Sequence, residues 1–363
     1  MDKPLLPSSE IAWRLRDDAE ADAKRAGLRY VKLAEPGFER RRWGRGFTYR
    51  DARGATVRDP ALRRRFAQLV IPPAWTDVWI CRDPSGHVQA TGRDAASRKQ
   101  YLYHPAFRRE RSRAKYRRMV AFGAVLPAVR RRVILDLNGP AKARVRVVAG
   151  IVRLLGRTRA RVGHETYAEQ NGSYGLTTLR AQHVAMSSGS AILSFMGKCG
   201  RPWRLEVRDE AVLRVMREGL ATPGPRLFTY RDGTSEFATA AHVNDYLRAA
   251  SGHCIRAKDF RTWAGCVTAT AYLQSETRTS PEGTTDDMLK DAVREVADVL
   301  HNTPAVSRSA YIPPAILATE RLERAPEHSK DAQGGLTASE YVAWTRLREA
   351  YPYPGADQIR DVA

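Results

Sequence analysis

The apolar positions of this chain follow a strand-like pattern in its first hundred residues and a helical one in most of the rest. "GFTYRDARGATV" and "DVWICRDPSGHVQATG" each place a turn sequence, Asp51 to Gly54 and Asp83 to Gly86, between runs rich in aromatic and β-branched residues. Runs of that kind predict two β-hairpins. Between them, "DPALRRRFAQLV" spaces its apolar residues for a helix, with Asp59 as N-cap and Pro60 in the first turn, where the missing N–H costs no hydrogen bond.

Beyond residue 107 the period lengthens. "FRRERSRAKYRR" (107–118) carries seven basic residues and one acid before it runs into a helical pattern, and "VRVVAGIVRLLG" (145–156) reads as a buried helix. "QHVAMS", "AILSFMG" and "WRLEVR" predict three short strands joined by "SGS" and "KCGRP", which puts Lys198 at a hairpin tip. "KDFRTWAGCVTATAYL" (258–273) and "DDMLKDAVREVADVL" (286–300) predict helices, the second with Met288, Leu289, Ala292, Val293, Val296 and Leu300 on one face. "HNTPAVSRSAYI" ends a helix at Thr303-Pro304 and presents Tyr311 just beyond, and "ASEYVAWTRLREA" predicts a further packing helix. The expected fold class is α+β: a strand-rich N-terminal domain over 1–107 and a larger, mainly helical domain over 108–363 with a short antiparallel sheet. At 363 residues, two cores are expected.

Charge narrows the partner. Lys and Arg number 61 against 40 Asp and Glu, a net +21, so the summed field attracts a polyanion. Nucleic acid is the expected partner. No run of about 18 apolar residues appears, and "MDKPLLPSSE" lacks the apolar stretch of a signal peptide, so a cytoplasmic, nucleoid-associated chain without membrane contact is expected. Cys81, Cys199, Cys254 and Cys266 form no close pair of the kind that clamps zinc. They read as reduced packing residues, and no metal site is predicted.

Several polar residues are ambiguous one at a time. Arg161, opening "RVGHETY" after a helix, reads as a helix-end or surface arginine. Lys258 and Arg261 lie three apart at a helix start and share a face, which suits a phosphate clamp or a solvated stripe alike. Lys198 is a turn lysine, Asn302 a helix C-terminal residue, and Tyr311 a tyrosine of core or rim. In "RKQYLYHP", Arg98, Lys99, Gln100, Tyr101 and Tyr103 offer groups that suit phosphates and base edges, or else form a strand whose tyrosines face the core. Alternation turns Gln100 away from the two tyrosines. The basic segment from Arg108 to Arg118 reads as an interdomain bridge or as a solvated helix face.

Their order is more specific than any one of them. "RVGHETY" with "YGLTTLR" close behind, then "FMGK", "KDFRTWAG", and "HNTP" followed by "SRSAYIPPAIL" make the chain resemble the type IB DNA topoisomerases, particularly the small poxvirus-like form found in bacteria. In the first domain, "GRDAASRKQYLYHP" resembles the family segment that enters the DNA major groove. The resemblance spans nearly the whole chain. It implies Tyr311 as nucleophile, Arg161 and Arg261 as paired phosphate-binding arginines, and Lys198 as proton donor to the leaving oxygen. Lys258 matches a lysine of proton delivery, and Asn302 a position often held by histidine. DNA contacts are implied for Arg98, Lys99, Gln100, Tyr101 and Tyr103, and for Tyr167 at the end of "RVGHETY". Cys199 stands where the poxvirus-type motif has an aspartate, and no role is expected of it.

The implied activity is relaxation of positive and negative supercoils in double-stranded DNA by a monomer, through a 3′-phosphotyrosyl intermediate. The resemblance implies no ATP and no required cofactor, with divalent cations at most stimulatory, and a C-shaped clamp closed around the duplex. The residue types suit the chemistry. Attack of a phenol on a phosphodiester passes through a pentacoordinate phosphorus with extra negative charge, which fixed guanidinium forks favour. The departing 5′ oxygen would be an alkoxide unless a general acid protonates it.

Two other readings carry sequence features of their own. A tyrosine recombinase shares paired arginines, a hairpin lysine and a terminal tyrosine. Its second arginine usually lies in a His-x-x-Arg pattern, where this chain has Lys258-Asp-Phe-Arg261, and its N-terminal domain is typically helical. An architectural DNA-binding protein would need the charge alone.

Overall fold

The computed structural model describes residues 19–277, 285–318 and 335–353. Two compact units divide the chain, one over residues 17–115 and one from Tyr116 onward. The division falls inside one helix, so the expected boundary at 107 is not marked by a loop.

In the smaller unit, α1 (Ala19–Arg25) precedes β1 (Phe38–Trp43), β2 (Gly46–Arg50), α2 (Pro60–Gln68), β3 (Thr76–Ile80), β4 (Val88–Arg93) and β5 (Lys99–Tyr103). The strands form one antiparallel sheet in the order β2-β1-β3-β4-β5. The sheet buries Phe38, Val78, Ile80 and Ala90 against α2, where the Phe66 ring lies 5.0 Å from Phe38 and 4.7 Å from Tyr49. Asp59 caps α2 as expected, its carboxylate accepting from the Ala61 amide at 2.8 Å.

The second predicted hairpin forms, from β3 and β4. The first does not form as expected. Asp51 to Gly54 turns, but residues after it add only a single bridge, Arg50 to Thr56, and β2 pairs instead with the preceding "FERRRW". Four charged residues hide that strand from a hydropathy reading. Arg40 points inward all the same, because its guanidinium donates to the carbonyls of Ile71, Pro72 and Trp75 at 3.0, 2.9 and 2.8 Å and lies over the Phe47 ring.

The larger unit begins within α3 (Pro105–Asn138) and continues through α4 (Ala143–Thr158), α5 (Glu165–Asn171), the strands β6 (Val184–Met186), β7 (Ala191–Met196) and β8 (Pro202–Val207), and α6 (Glu210–Ala221). A two-stranded ribbon, β9 (Thr229–Asp232) and β10 (Thr234–Phe237), leads to α7 (Ala240–Ser251), α8 (Ala257–Thr277), α9 (Asp286–Val299), α10 (Pro304–Ala310), α11 (Pro314–Leu317) and α12 (Ala338–Ala350). The fold class is the α+β arrangement read from the sequence, with β6-β7-β8 as the short antiparallel sheet. Helices α3, α4, α8 and α12 share one core, in which Phe122 meets Phe260 edge-on at 5.0 Å and Trp263 at 5.7 Å. A satellite cluster joins α8 and α9 to Ile312 and Ile316, and Ala292, Val293, Val296 and Leu300 fill it as their spacing predicts. No helix of the described residues is long and apolar enough to cross a membrane.

Basic residues 107–118 are helical but not uniformly solvated. Arg118 is 8 % exposed and pairs with Asp259 at 3.3 Å. Burial pushes the Asp259 carboxyl up, against the pull of Arg118.

Candidate active site

Arg261 lies in the second turn of α8 with only 4 % of its surface exposed. A buried guanidinium must spend its donors, and it does so on main chain: Nη1 donates to the Arg159 carbonyl and Nη2 donates to the Leu300 carbonyl at 2.6 Å. Both acceptors sit at helix ends, where carbonyls lack intrahelical partners and carry the negative pole of the dipole. Arg159 caps the C-terminus of α4 in a left-handed turn with φ 57°, and Leu300 caps that of α9. Two helix termini therefore fix one cation.

Tyr311 arrives from the other side. The Asn-Thr-Pro sequence was expected to end a helix, but α9 has already stopped at Val299, and Thr303-Pro304 begins α10. Thr303 Oγ1 accepts from the Val306 amide at 3.3 Å, and Pro304 opens the first turn. The short helix runs to Ala310 and Tyr311 closes it, the Tyr311 amide donating to the Ser307 carbonyl at 3.0 Å. That helix makes up most of the chain between Asn302 and Tyr311. Neighbouring main chain is pinned as well: the Tyr116 hydroxyl donates to the Ile312 carbonyl at 3.1 Å, and Cys266 Sγ donates weakly to the Tyr311 carbonyl at 3.7 Å. The Arg261 guanidinium stands 5.6 Å from the centroid of the Tyr311 ring.

Arg161 lies on the extended segment between α4 and α5. The carbonyls of Arg161 and Val162 accept from the Leu176 and Thr177 amides at 2.9 and 2.7 Å. That crossing needs glycine: a Cβ at Gly175 would stand 2.5 Å from the Gly163 nitrogen and 2.6 Å from the Arg161 oxygen, and Gly163 itself has φ +95°. Arg161 Nη2 donates to Asn302 Oδ1 at 3.3 Å.

The charges act on one another. Burial alone would push the Tyr311 phenol up, but Arg261 and Arg161, by charge and hydrogen bonding at its hydroxyl, outweigh that and hold it below the ordinary tyrosine value. Burial, and next the charge of Arg161, bring Arg261 down to about 10, which leaves it a cation at neutral pH. Arg261 Nε and Asn302 Nδ2 are buried donors with no hydrogen-bond partner among the described residues. Donors of that kind beside an activated phenol suit the non-bridging oxygens of a phosphodiester.

Tyr311, Arg161, Arg261 and Asn302 are thus brought together. Lys198 is exposed at the β7–β8 turn, as expected, and is not part of that hydrogen-bonded group. Lys258 is exposed one turn before Arg261 on α8. The exposed Tyr167 lies on α5, its ring edge-on to His164 at 5.9 Å.

In the smaller unit the other expected DNA contacts form the edge strand β5 and its approach. Tyr101 and Tyr103 stack at 5.9 Å on one face, with the Lys99 ammonium 5.8 Å from the Tyr101 ring. Gln100 and Arg98 instead donate to Asp94 Oδ2, both at 2.9 Å. Arg98 and Gln100 hold the Asp94 carboxyl down to about 2.

Sequence reasoning missed the supports of the site. Gly265, whose lack of a side chain lets Tyr311 approach, sat inside a quoted motif without a reason. Trp203 and Arg201, next to the hairpin tip, touch the corner at His301 and Asn302. Their positions five and three residues after Lys198 were the available signal. Among the described residues no group of three or more His, Cys, Asp or Glu side chains could hold a metal ion.

Comparison with known proteins supplies the family. Residues 104–332 match the model of the eukaryotic DNA topoisomerase I catalytic core, and residues 46–94 match the bacterial DNA topoisomerase IB N-terminal domain. The chain is 33 % identical over 257 residues to DNA topoisomerase 1B of Acanthamoeba polyphaga mimivirus, covering 68 % of this chain and 76 % of that protein. It is 22 % identical over 228 residues to DNA topoisomerase 1 of rabbit fibroma virus (strain Kasza), covering 62 % and 70 %. A solved XerH site-specific recombinase bound to its difH substrate overlaps 50 % of this chain and 48 % of that chain at a TM-score of 0.30 and 13 % identity, too little to bear on function. A catalytic-core match over more than half the chain, joined to a bacterial N-terminal match and a viral relative across two thirds of it, means that this chain belongs to the type IB DNA topoisomerases.

Proposed function

We propose that this topoisomerase relaxes positive and negative supercoils in double-stranded DNA by cutting one strand at Tyr311 and resealing it. Tyr311 Oη attacks the scissile phosphorus, a new P–O bond forms, and the bond to the 5′ oxygen breaks. The lowered phenol value eases loss of the Tyr311 hydroxyl proton to solvent as its oxygen attacks. Arg161, Arg261 and Asn302 bind the non-bridging oxygens and favour the added charge of the pentacoordinate state. Lys198 gives its proton to the departing 5′ oxygen, and Lys258 assists proton delivery.

The product is a 3′-phosphotyrosyl ester and a free 5′ hydroxyl. One phosphoester replaces another, so the reverse attack reseals the strand, and torsion stored in the duplex drives rotation. ATP and cofactors are not required on this reading, and divalent ions act at most as stimulants. The smaller unit grips the duplex through Lys99, Tyr101 and Tyr103, with Arg98 and Gln100 at the end of the same strand. Tyr167 adds a contact from α5. The enzyme works as a monomer in the nucleoid.

The observation that carries this reading is the meeting of two guanidinium groups at the Tyr311 hydroxyl, with Asn302 bonded to one of them and its Nδ2 without a hydrogen-bond partner among the described residues. Plasmid relaxation without ATP or metal, followed by denaturation and mapping of the trapped strand, tests it. Protein on a 3′ end is the expected result. Linkage to a 5′ end, or no trapped strand, overturns it.

A further inference from the structure

The β7–β8 hairpin is joined to the Asn302 corner by a second set of contacts. Trp203, on β8, is 7 % exposed, and its ring stacks on His301 with centroids 4.0 Å apart and planes 14° from parallel. Its other companion is its cross-strand partner Phe195, stacked at 6.2 Å and 6°. Arg201 Nη1 donates to the Asn302 carbonyl at 3.3 Å, and the Arg201 carbonyl accepts from the Gly197 amide at 2.8 Å. The indole also lies flush on the turn: a Cβ at Gly197 would stand 2.7 Å from Trp203 Cδ1 and Nε1.

His301 holds its ring there at some conformational cost. Its backbone is left-handed, with φ 48°, a region that a histidine seldom adopts. Burial first, then the charges of Arg261 and Arg201, push its imidazole pKa down, so the neutral ring is the form that packs.

We propose that Trp203 and His301 are positioning residues that dock the Lys198 hairpin on the corner carrying Asn302, keeping proton donor and nucleophile segment in register. The inference rests on the reading of Lys198 as the proton donor. Without the stack, the Arg201 bond is what holds the turn to that corner among the described residues, and Lys198 Nζ samples positions away from the leaving oxygen while Tyr311 and the arginines stay in place.

Single-turnover cleavage of two oligonucleotide duplexes tests this, one with the ordinary 5′ bridging oxygen at the scissile phosphate and one with sulfur there. A thiol titrates near about 8.5, so sulfur departs without a proton. Lys198→Ala serves as reference, expected about 10²- to 10⁴-fold slow on oxygen and restored on sulfur. His301→Asn keeps a residue that tolerates a left-handed backbone but removes the ring. It is expected to be about tenfold slow on oxygen, within about threefold of wild type on sulfur, and unchanged in DNA affinity. Trp203→Ala should follow the same pattern, and Trp203→Phe, which keeps a flat ring, should restore the oxygen rate.

If Lys198→Ala is restored by sulfur while His301→Asn is equally slow on both duplexes, or not slow on either, the positioning role is overturned and the proton donor stands. If Lys198→Ala is not restored by sulfur, the proton-donor assignment fails and takes the positioning role with it. Should Trp203→Ala lose its folded signal, His301→Asn and Trp203→Phe decide the matter alone.

Discussion

A Cβ atom added to Gly265 would stand 2.8 Å from Cβ of Tyr311 and 2.9 Å from its carbonyl oxygen. Helix α8 therefore holds Arg261 and, one turn later, the smooth surface on which the Tyr311 backbone rests. Gly265→Ala is expected to displace that backbone rather than unfold the unit, at a stability cost of about 1–3 kcal/mol. Cleavage should fall by roughly 10²-fold, the penalty for misplacing a reacting group by about an ångström. Thermal melts and single-turnover cleavage read the two effects separately, and an unchanged cleavage rate would contradict the contact.

Tyr311→Phe removes only the hydroxyl that the two arginines address. The variant should bind plasmid as tightly as wild type and leave its supercoils intact, with no covalent complex on denaturation. Relaxation at the normal rate would mean that another group attacks.

Arg261→Lys keeps a charge but replaces the fork, whose two Nη atoms each reach a carbonyl, with a single ammonium nitrogen. Losing a charged hydrogen bond to Arg159 or Leu300 should cost about 1.5–3 kcal/mol of stability. Cleavage should drop by about 10²- to 10³-fold. Arg161→Ala should slow cleavage comparably with a smaller change in melting temperature, because Arg161 is half-buried and donates to a side chain, Asn302, rather than to two main-chain carbonyls. Equal thermal losses in the two variants would contradict the burial difference.

Salt should separate the faces of β5. Lys99→Ala is expected to lower the slope of log affinity against log salt by about 0.9, one phosphate contact. Gln100→Ala should leave that slope alone, since a neutral amide, here bonded to Asp94, neutralises no phosphate. The reverse result would place the other face on DNA.

Acid should destabilise the larger unit partly through His253. Both ring nitrogens are buried without a hydrogen-bond partner among the described residues, and burial pushes the imidazole pKa down. The unfolded chain takes up a proton near pH about 6.5 while the folded one does not, so stability held above that pH is lost as pH falls toward the lower folded value. His253→Leu should be at least as stable at pH 7 and should lose less between pH 7 and 5 in denaturant titrations. A steeper loss than wild type would contradict this.

That Tyr311, Arg161, Arg261 and Asn302 belong to one candidate site was legible in the order of short motifs. The spacing of α9 and the cap of α2 were also plain, since both follow from periodicity and local hydrogen bonding. β1 was not, because Arg40 buys its burial with three carbonyls that lie more than thirty residues away, a contact no local pattern reports. Helix α10 was misread for a related reason. Thr303 and Pro304 serve equally as the end of one helix and the start of another, and the early stop of α9 at Val299 decides between them. The crossing of Gly163 and Gly175 beside Arg161 shows only when the two backbones are seen together, because each glycine's need for a bare Cα comes from the other segment.

The residue after Tyr311 gives its carbonyl to Tyr116, and the residue four before it takes the Tyr311 amide. A severed strand attached to such a side chain inherits a mooring fixed on both flanks. Swivelling must then occur in the nucleic acid beyond the nick, and the captive terminus waits where it was cut, close enough for rejoining to be a local event rather than a search.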